Sequence, residues 1–547
     1  MVITMIAILA FLPILTTLVL MMAFNWPARR CLLISWIIAL IFAFFFWNID
    51  FKALLAGSVY GVLSSFDVLL IIFGAILVMN TLKASGATAA INRGFMNISP
   101  DKRVQACIIG FSFCSFIESA AGFGTPAALA GPLMVSLGFP PMAAAMIALI
   151  FDSTAVSFGA VGTPVTAALA ARDKGADTQF ISGFTFWTAL PHAVMAIFLP
   201  LIVLMMTTKF FSRERSFKPA LAAAPFAIFT GLSFAIPLLF TCVFIGYEFA
   251  SLLASLFSIC ITVIAAKNKF LTPKKAWDFG DPDRWDSSWL ATAKVSAVNE
   301  SKMSLFKAWI PYFLIALILV ITRIPQLGVK GFLSSGAPFV AEINDIIGFE
   351  NLDWAFKWAY IPGTFFIKVA VTTNIIHKMD FKKVKESWKV TFNQVSGAAL
   401  ALVFGLALVE VMKFKNASGI SMMDTMASTL SKVGKLLYVA IAPFIGVLGS
   451  FVSGSATVSM NLFSNLQYDT AIVLGLPAAC VMAMQCVGAA IGNMICINNA
   501  VAASATIGIT GREGKLIKIN VIPMLIYTLV TVALFYIVMA VGIRFQR

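Results

Sequence analysis

Sixteen separate runs of mostly apolar residues, the first beginning near residue 2 and the last near residue 518, dominate this chain. A helix needs about 20 such residues to cross the hydrocarbon core of a bilayer. The chain has 547 residues, of which 60% are hydrophobic and only 12% charged, a balance no soluble domain carries without exposing apolar surface. The runs therefore specify an all-α polytopic membrane protein. Some are too short or too polar to cross, so about 12–14 transmembrane helices are expected, with the remainder as half-spans or re-entrant hairpins.

The 39 Lys and Arg against 24 Asp and Glu leave a net charge of +15, but the basic residues lie in short clusters between apolar runs. That pattern marks the cytoplasmic side of a membrane protein and excludes a nucleic-acid patch. Arg29 and Arg30 follow the first run, whereas Lys83, Arg93, Lys102 and Arg103 follow the third. The bias places the N-terminus outside and the Trp- and Lys-containing loop 267–307 in the cytoplasm, as in a bacterial inner membrane. The first run lacks the basic leader and cleavage pattern of a signal peptide and is expected to stay as a span. The eight cysteines lie in or beside apolar stretches with no CxxC pair, which suits packing. Two histidines cannot make a zinc site of the usual kind, and no GxSxG, HExxH or P-loop occurs. An enzyme, a bound cofactor and ATP-driven pumping are thereby disfavoured, leaving secondary transport.

Chemistry is concentrated where apolar runs are interrupted. Glu118-Ser119-Ala120-Ala121-Gly122-Phe123-Gly124-Thr125-Pro126 combines a carboxylate with two glycines and a proline. These residues break a helix, and an acid in such surroundings is functional by default. The next stretch, Asp152-Ser153-Thr154 through Ser157-Phe158-Gly159-Ala160-Val161-Gly162-Thr163-Pro164, repeats the recipe, pairing Asp152 with Glu118. In the second half, Ser453-Gly454-Ser455-Ala456-Thr457 and Gly488 to Asn493 supply neutral donors and acceptors. Interrupted segments recurring in both halves are what inverted-repeat transporters show, although small residues also recur simply to let helices pack. A half-helix N-terminus at membrane depth suits an anionic substrate. Cationic candidates are Arg172, Arg323, Lys357, Lys368, His192 and His377; the first three lie at segment ends, where snorkelling is the plainer reading, and Lys368 is deeper. His192, after Pro191 inside a span, reads more simply as a hydrogen-bonded residue than as a proton relay.

The run Phe116-Ile117-Glu118-Ser119-Ala120-Ala121-Gly122-Phe123-Gly124-Thr125-Pro126, followed by Ser157-Phe158-Gly159-Ala160-Val161-Gly162-Thr163-Pro164, resembles the L-lactate permease family. The likeness continues in order through Phe279-Gly280-Asp281, Ala308-Trp309-Ile310-Pro311, Thr322-Arg323-Ile324-Pro325, Phe356-Lys357-Trp358, Ser453-Gly454-Ser455 and Thr510-Gly511-Arg512-Glu513. The resemblance implies transport of L-lactate or glycolate with protons, and raises Arg323 and Lys357 as counter-charges. Three of the departures from the family pattern bear on charge. Ala456 stands where the family usually has Asp, Asn493 where it has Lys, and Asp152 where it more often has Asn. If these share one cavity, its charge pattern has been rearranged.

The expected whole is a single transport domain over residues 1–547, with a first repeat over about 1–215, connecting spans and a loop over about 216–304, and a second repeat over about 305–547. The expected activity is symport of a small monocarboxylate with a proton, sodium being the alternative ion; the rival readings are another organic anion, such as a dicarboxylate or keto acid, and an anion channel. Ser119, Gly122, Gly124, Thr125, Ser153, Thr154, Arg323, Lys357, Ser453, Ser455 and Asn493 are the expected substrate-binding residues, and Glu118 and Asp152 the proton-coupling pair. Membrane lipid surrounds such a protein, and a homo-oligomer is compatible with it.

Overall fold

The computed structural model describes residues 2–22, 24, 26, 28–95, 98–122, 125–170, 178–290, 302–323, 327–350, 352–509 and 512–540. The first helices are α1 (Val2–Met22), α2 (Ala28–Trp47) and α3 (Phe51–Ser85). Asp50 begins α3 by accepting the Lys52 N–H at 3.0 Å, and Gly86, in the left-handed conformation, ends it. A π-helical run, Ala106–Phe113, leads into α4 (Cys114–Ala121), which is followed by α5 (Thr125–Ser136), α6 (Pro141–Val156) and α7 (Gly159–Ala170). Next come α8 (Thr178–Phe210), α9 (Ala224–Phe244), α10 (Ala250–Lys267) and α11 (Leu305–Arg323). A short antiparallel hairpin, β1 (Ala341–Ile343) with β2 (Trp354–Phe356), precedes α12 (Pro362–Ile376), α13 (Phe381–Lys413) and α14 (Met422–Ser431). The chain closes with α15 (Lys435–Ser453), α16 (Ala456–Leu474), α17 (Ala478–Gly492), α18 (Ile497–Ile507) and α19 (Glu513–Ala540).

The all-α expectation holds, with the hairpin the one departure among the described residues. Eight helices there are long and apolar enough to cross a bilayer, or nine if α6 and α7, bent by 51°, count as one broken span. Several apolar runs fold instead as shorter pieces, because glycine, proline and hydroxyl residues interrupt them. The same element order recurs in both halves: α4 and α15 each stop at a glycine of positive φ, Gly122 (62°) and Gly454 (75°), before α5 and α16 begin. The following helices, α6 and α17, are each broken from the next, α7 and α18.

Two apolar clusters hold the molecule together. The smaller joins α1, α2 and α3 to α13, α14 and one face of α16. The larger contains α4 to α10, α15, α17, α18 and α19. Because α3 packs along α12 and α13, the N-terminal helices are tied to the second half of the chain. Both broken pairs belong to the larger cluster, with α16 lying against α7 and α18 against α5.

Candidate functional site

At the break between α6 and α7, Ala160, Val161 and Gly162 are all left-handed, with φ of 42°, 58° and 75°. Only glycine adopts this region without cost, and a β-branched valine there is a clear outlier. The surroundings fix it. Ser251 Oγ donates to Phe158 O at 3.0 Å, Thr163 Oγ1 to Ala160 O at 2.6 Å, and the Gly162 N–H to Phe158 O at 3.0 Å. Backbone strain held in place in this way accumulates at functional sites.

The break brings Gly159 against the carboxyl of Glu118, which is 3% exposed on α4. Asp152, 1% exposed on α6, lies within hydrogen-bond reach of the same carboxyl. Two carboxylates are acceptors only, so a bond between them requires a proton on one. Glu118 Oε2 and Asp152 Oδ1 meet no other donor.

A cavity opens beside Glu118. From the first half it is lined by Glu118, Gly122, Gly159 and Thr163, and from the second by Gly454, Ser455, Ala456, Thr457 and Asn493. Ser455 caps α16, its Oγ accepting the Val458 N–H at 3.3 Å, so the first turn of a 19-residue helix starts in the cavity wall. The unpaired N–H groups of that turn and the helix dipole favour a negative group there. Asn493 adds a carboxamide whose Oδ1 has no partner. No basic side chain lines the cavity among the described residues.

Of the substrate-binding residues expected from sequence, the structure brings Gly122, Ser455 and Asn493 to this wall, together with Glu118, while Asp152 stands behind Glu118. It does not bring Ser119, Ser153, Thr154 or Ser453 there. Their hydroxyls bond to carbonyls of their own helices: Ser119 to Ser115 O at 2.6 Å, Ser153 to Ile150 O at 2.7 Å, Thr154 to Phe151 O at 3.0 Å, and Ser453 to Gly449 O at 2.7 Å. Gly124, the Thr125 side chain, the Arg323 side chain and Arg172 lie outside the described residues.

Lys357, exposed after β2, faces Asp67 on α3 instead of the cavity. Asp67 had no motif to announce it. Lys368 is exposed over the Phe365 ring, 5.6 Å from its centroid. His192 is fully buried with both nitrogens engaged, Nε2 with Ser157 Oγ at 2.7 Å and Nδ1 with the Tyr527 hydroxyl at 2.5 Å. Ser157 also donates to Cys486 O at 3.1 Å, so this chain of bonds ties the broken helix to α17 and α19.

Comparison with known proteins places these features in a family. The profile described as L-lactate permease matches residues 6–542. A putative L-lactate permease of Haemophilus influenzae is 31% identical over 502 residues, covering 88% of this chain and 89% of that protein. The L-lactate permeases of Bacillus subtilis and Escherichia coli K12 are each 29% identical, covering 86% and 90% of this chain and 84% and 88% of theirs. The crystal structure of the Alcanivorax borkumensis YdaH transporter aligns with 88% of this chain and 86% of its own at 13% identity and a TM-score of 0.42, a likeness too low to carry an argument. With its matching profile and relatives aligned over most of their length, the chain belongs to the L-lactate permease family.

Proposed function

We propose that this multi-pass transporter carries a small monocarboxylate, L-lactate or glycolate, across the bilayer together with a proton. The observation that carries the reading is one cavity with the start of α16 on one wall and the Glu118 carboxyl, backed by Asp152, on the other. The substrate carboxylate takes the N–H groups of Ala456 and Thr457 and the Thr457 hydroxyl. An ionised Glu118 across so small a cavity repels that anion, whereas a protonated Glu118 can donate to it. Each ligand thereby favours the other, which is the thermodynamic content of symport.

A cavity with no lining cation among the described residues fits a singly charged substrate better than a dicarboxylate, which needs a second counter-charge on burial. The breaks of the two halves then act as paired repeats that open the cavity alternately to either side. Basic residues support a cytoplasmic placement of loop 267–307: Arg103 donates to Lys275 O at 2.8 Å, and Arg512 to Ser287 O at 2.9 Å and Leu290 O at 3.0 Å. With that face inside, the N-terminus lies outside and the protein sits in a cell inner membrane.

The test is uptake of labelled L-lactate into proteoliposomes under an inward proton gradient, with unlabelled glycolate, pyruvate and succinate as competitors. Saturable accumulation above equilibrium, collapsed by a protonophore, is expected. Flux that neither saturates nor accumulates would make the protein a channel, and accumulation that follows sodium in place of the proton gradient would overturn the coupling ion.

A further inference from the structure

Asn461 lies on α16 one turn beyond Thr457, and residues four apart on a helix share a face. It is 1% exposed, yet neither its Oδ1 nor its Nδ2 has a hydrogen-bond partner. Two neighbouring carboxamides, those of Gln467 and Gln485, are satisfied. Gln467 Nε2 donates to Ala442 O at 3.1 Å and Gln485 Oε1 at 2.9 Å, while its own Oε1 accepts from Tyr438; Gln485 Nε2 donates to Ser459 Oγ at 3.1 Å. A buried amide with both ends unmet is costly unless something else meets them.

Its position on the helix indicates what that is. Val458, Leu462 and Leu466 turn to the smaller apolar cluster, and Ser459 and Gln467 bond toward α15 and α17. Thr457 and Asn461 share the remaining face, which continues to Tyr468 and its ring contact with Phe180 at 5.9 Å between centroids. α7 packs along α16 and carries Thr163, itself a cavity residue. Side chains on a helix lean toward its N-terminus, so the Asn461 amide leans toward Thr457 and the cavity.

We propose that Asn461 binds the 2-hydroxyl of the substrate when its carboxylate occupies the start of α16. The proposal rests on the monocarboxylate reading above and deepens it. A hydroxyl both donates and accepts, and a carboxamide presents one acceptor beside two donors, so the two groups satisfy each other. A keto oxygen only accepts and a plain alkyl acid offers nothing, so each leaves part of the amide unmet. Asn461 therefore makes the site select hydroxy acids.

The experiment is competition against labelled L-lactate in proteoliposomes, using L-lactate, pyruvate and propionate, which differ at carbon 2. The wild-type protein is expected to need about tenfold or more propionate than lactate for half-inhibition, with pyruvate between. Asn461→Leu is expected to bring the propionate-to-lactate ratio close to one without weakening propionate, and Asn461→Thr, which puts one hydroxyl in place of the amide, to retain part of it. An unchanged ratio in Asn461→Leu overturns the proposal. Should that variant fail to fold, a ratio near one in the wild type, or an undiminished ratio in Asn461→Thr, overturns it equally. Loss of proton-driven accumulation with the lactate preference intact in exchange assays overturns the symport reading alone and leaves Asn461 in place.

Discussion

Gly159 stands so close to Glu118 that a Cβ on it would lie 2.4 Å from Glu118 Oε1 and 3.1 Å from the carboxyl carbon. The broken helix and the acid are thus fitted to each other, and the glycine is required by close approach. Gly159→Ala must move the Glu118 side chain, and overpacking of this kind costs about 1–3 kcal/mol. Lactate uptake is expected to fall about tenfold or more, since ~1.4 kcal/mol is a factor of ten. Glu118→Asp, shorter by one methylene, should restore part of the activity in the double variant. A double variant no better than Gly159→Ala alone would show that the defect lies elsewhere in the break.

Glu118 and Asp152 are expected to respond differently to neutral substitution. Glu118 lines the cavity, whereas Asp152 stands behind it. Glu118→Gln removes the proposed proton-carrying group, so uphill accumulation should vanish while lactate exchange down its own gradient continues. Asp152→Asn still offers Glu118 a hydrogen bond and should keep proton-driven accumulation, within about tenfold of the wild type. Accumulation that survives in Glu118→Gln would remove that residue from the coupling step.

Glycine, proline and hydroxyl spacing showed in the sequence where the helices break, because those residues change backbone geometry locally. The partners across the breaks were not legible. Val161 and Ala160 are left-handed though neither residue type asks for it; contacts from Ser251 and Tyr247, distant in sequence, impose the conformation. Ser119, Ser153, Thr154 and Ser453 were credible ligands by composition, but a helical hydroxyl can always turn back on its own carbonyls, and these four do. Asn461 escaped notice because an isolated amide in an apolar run carries no motif; only its unmet atoms in the folded chain single it out.

Arg103 provides a prediction about stability. It is 3% exposed and clamps Asp101 through two nitrogens, at 2.5 and 2.9 Å, while donating to Pro219 O at 2.5 Å and Lys275 O at 2.8 Å. One side chain thus joins the start of the π-helical segment to the loop after α10. Arg103→Ala leaves Asp101 buried without its charge partner and frees two carbonyls, which should destabilise the protein by about 3–5 kcal/mol. Arg103→Lys cannot reproduce the planar fork and should recover only part of this. Thermal unfolding in detergent measures both, and a melting temperature unchanged in Arg103→Ala would count against the clamp.

Ala456 and Asn493 line the same cavity, at positions where the family pattern usually carries an acid and a base. Their charges therefore act on the substrate site directly. Ala456→Asp alone puts a carboxylate beside the site proposed for the substrate carboxylate and should raise the lactate concentration for half-maximal uptake by about tenfold or more through repulsion. Asn493→Lys alone adds a cation to a cavity that has none among the described residues and should lower it, while admitting succinate as a competitor. In the double variant the new charges neutralise each other, so lactate affinity should return toward the wild-type value and succinate should be excluded again. Competition curves for lactate, pyruvate and succinate across the four proteins give the coupling between the two positions. Effects that simply add, or a substrate range that never changes, would show that the two residues do not share the anion's binding site.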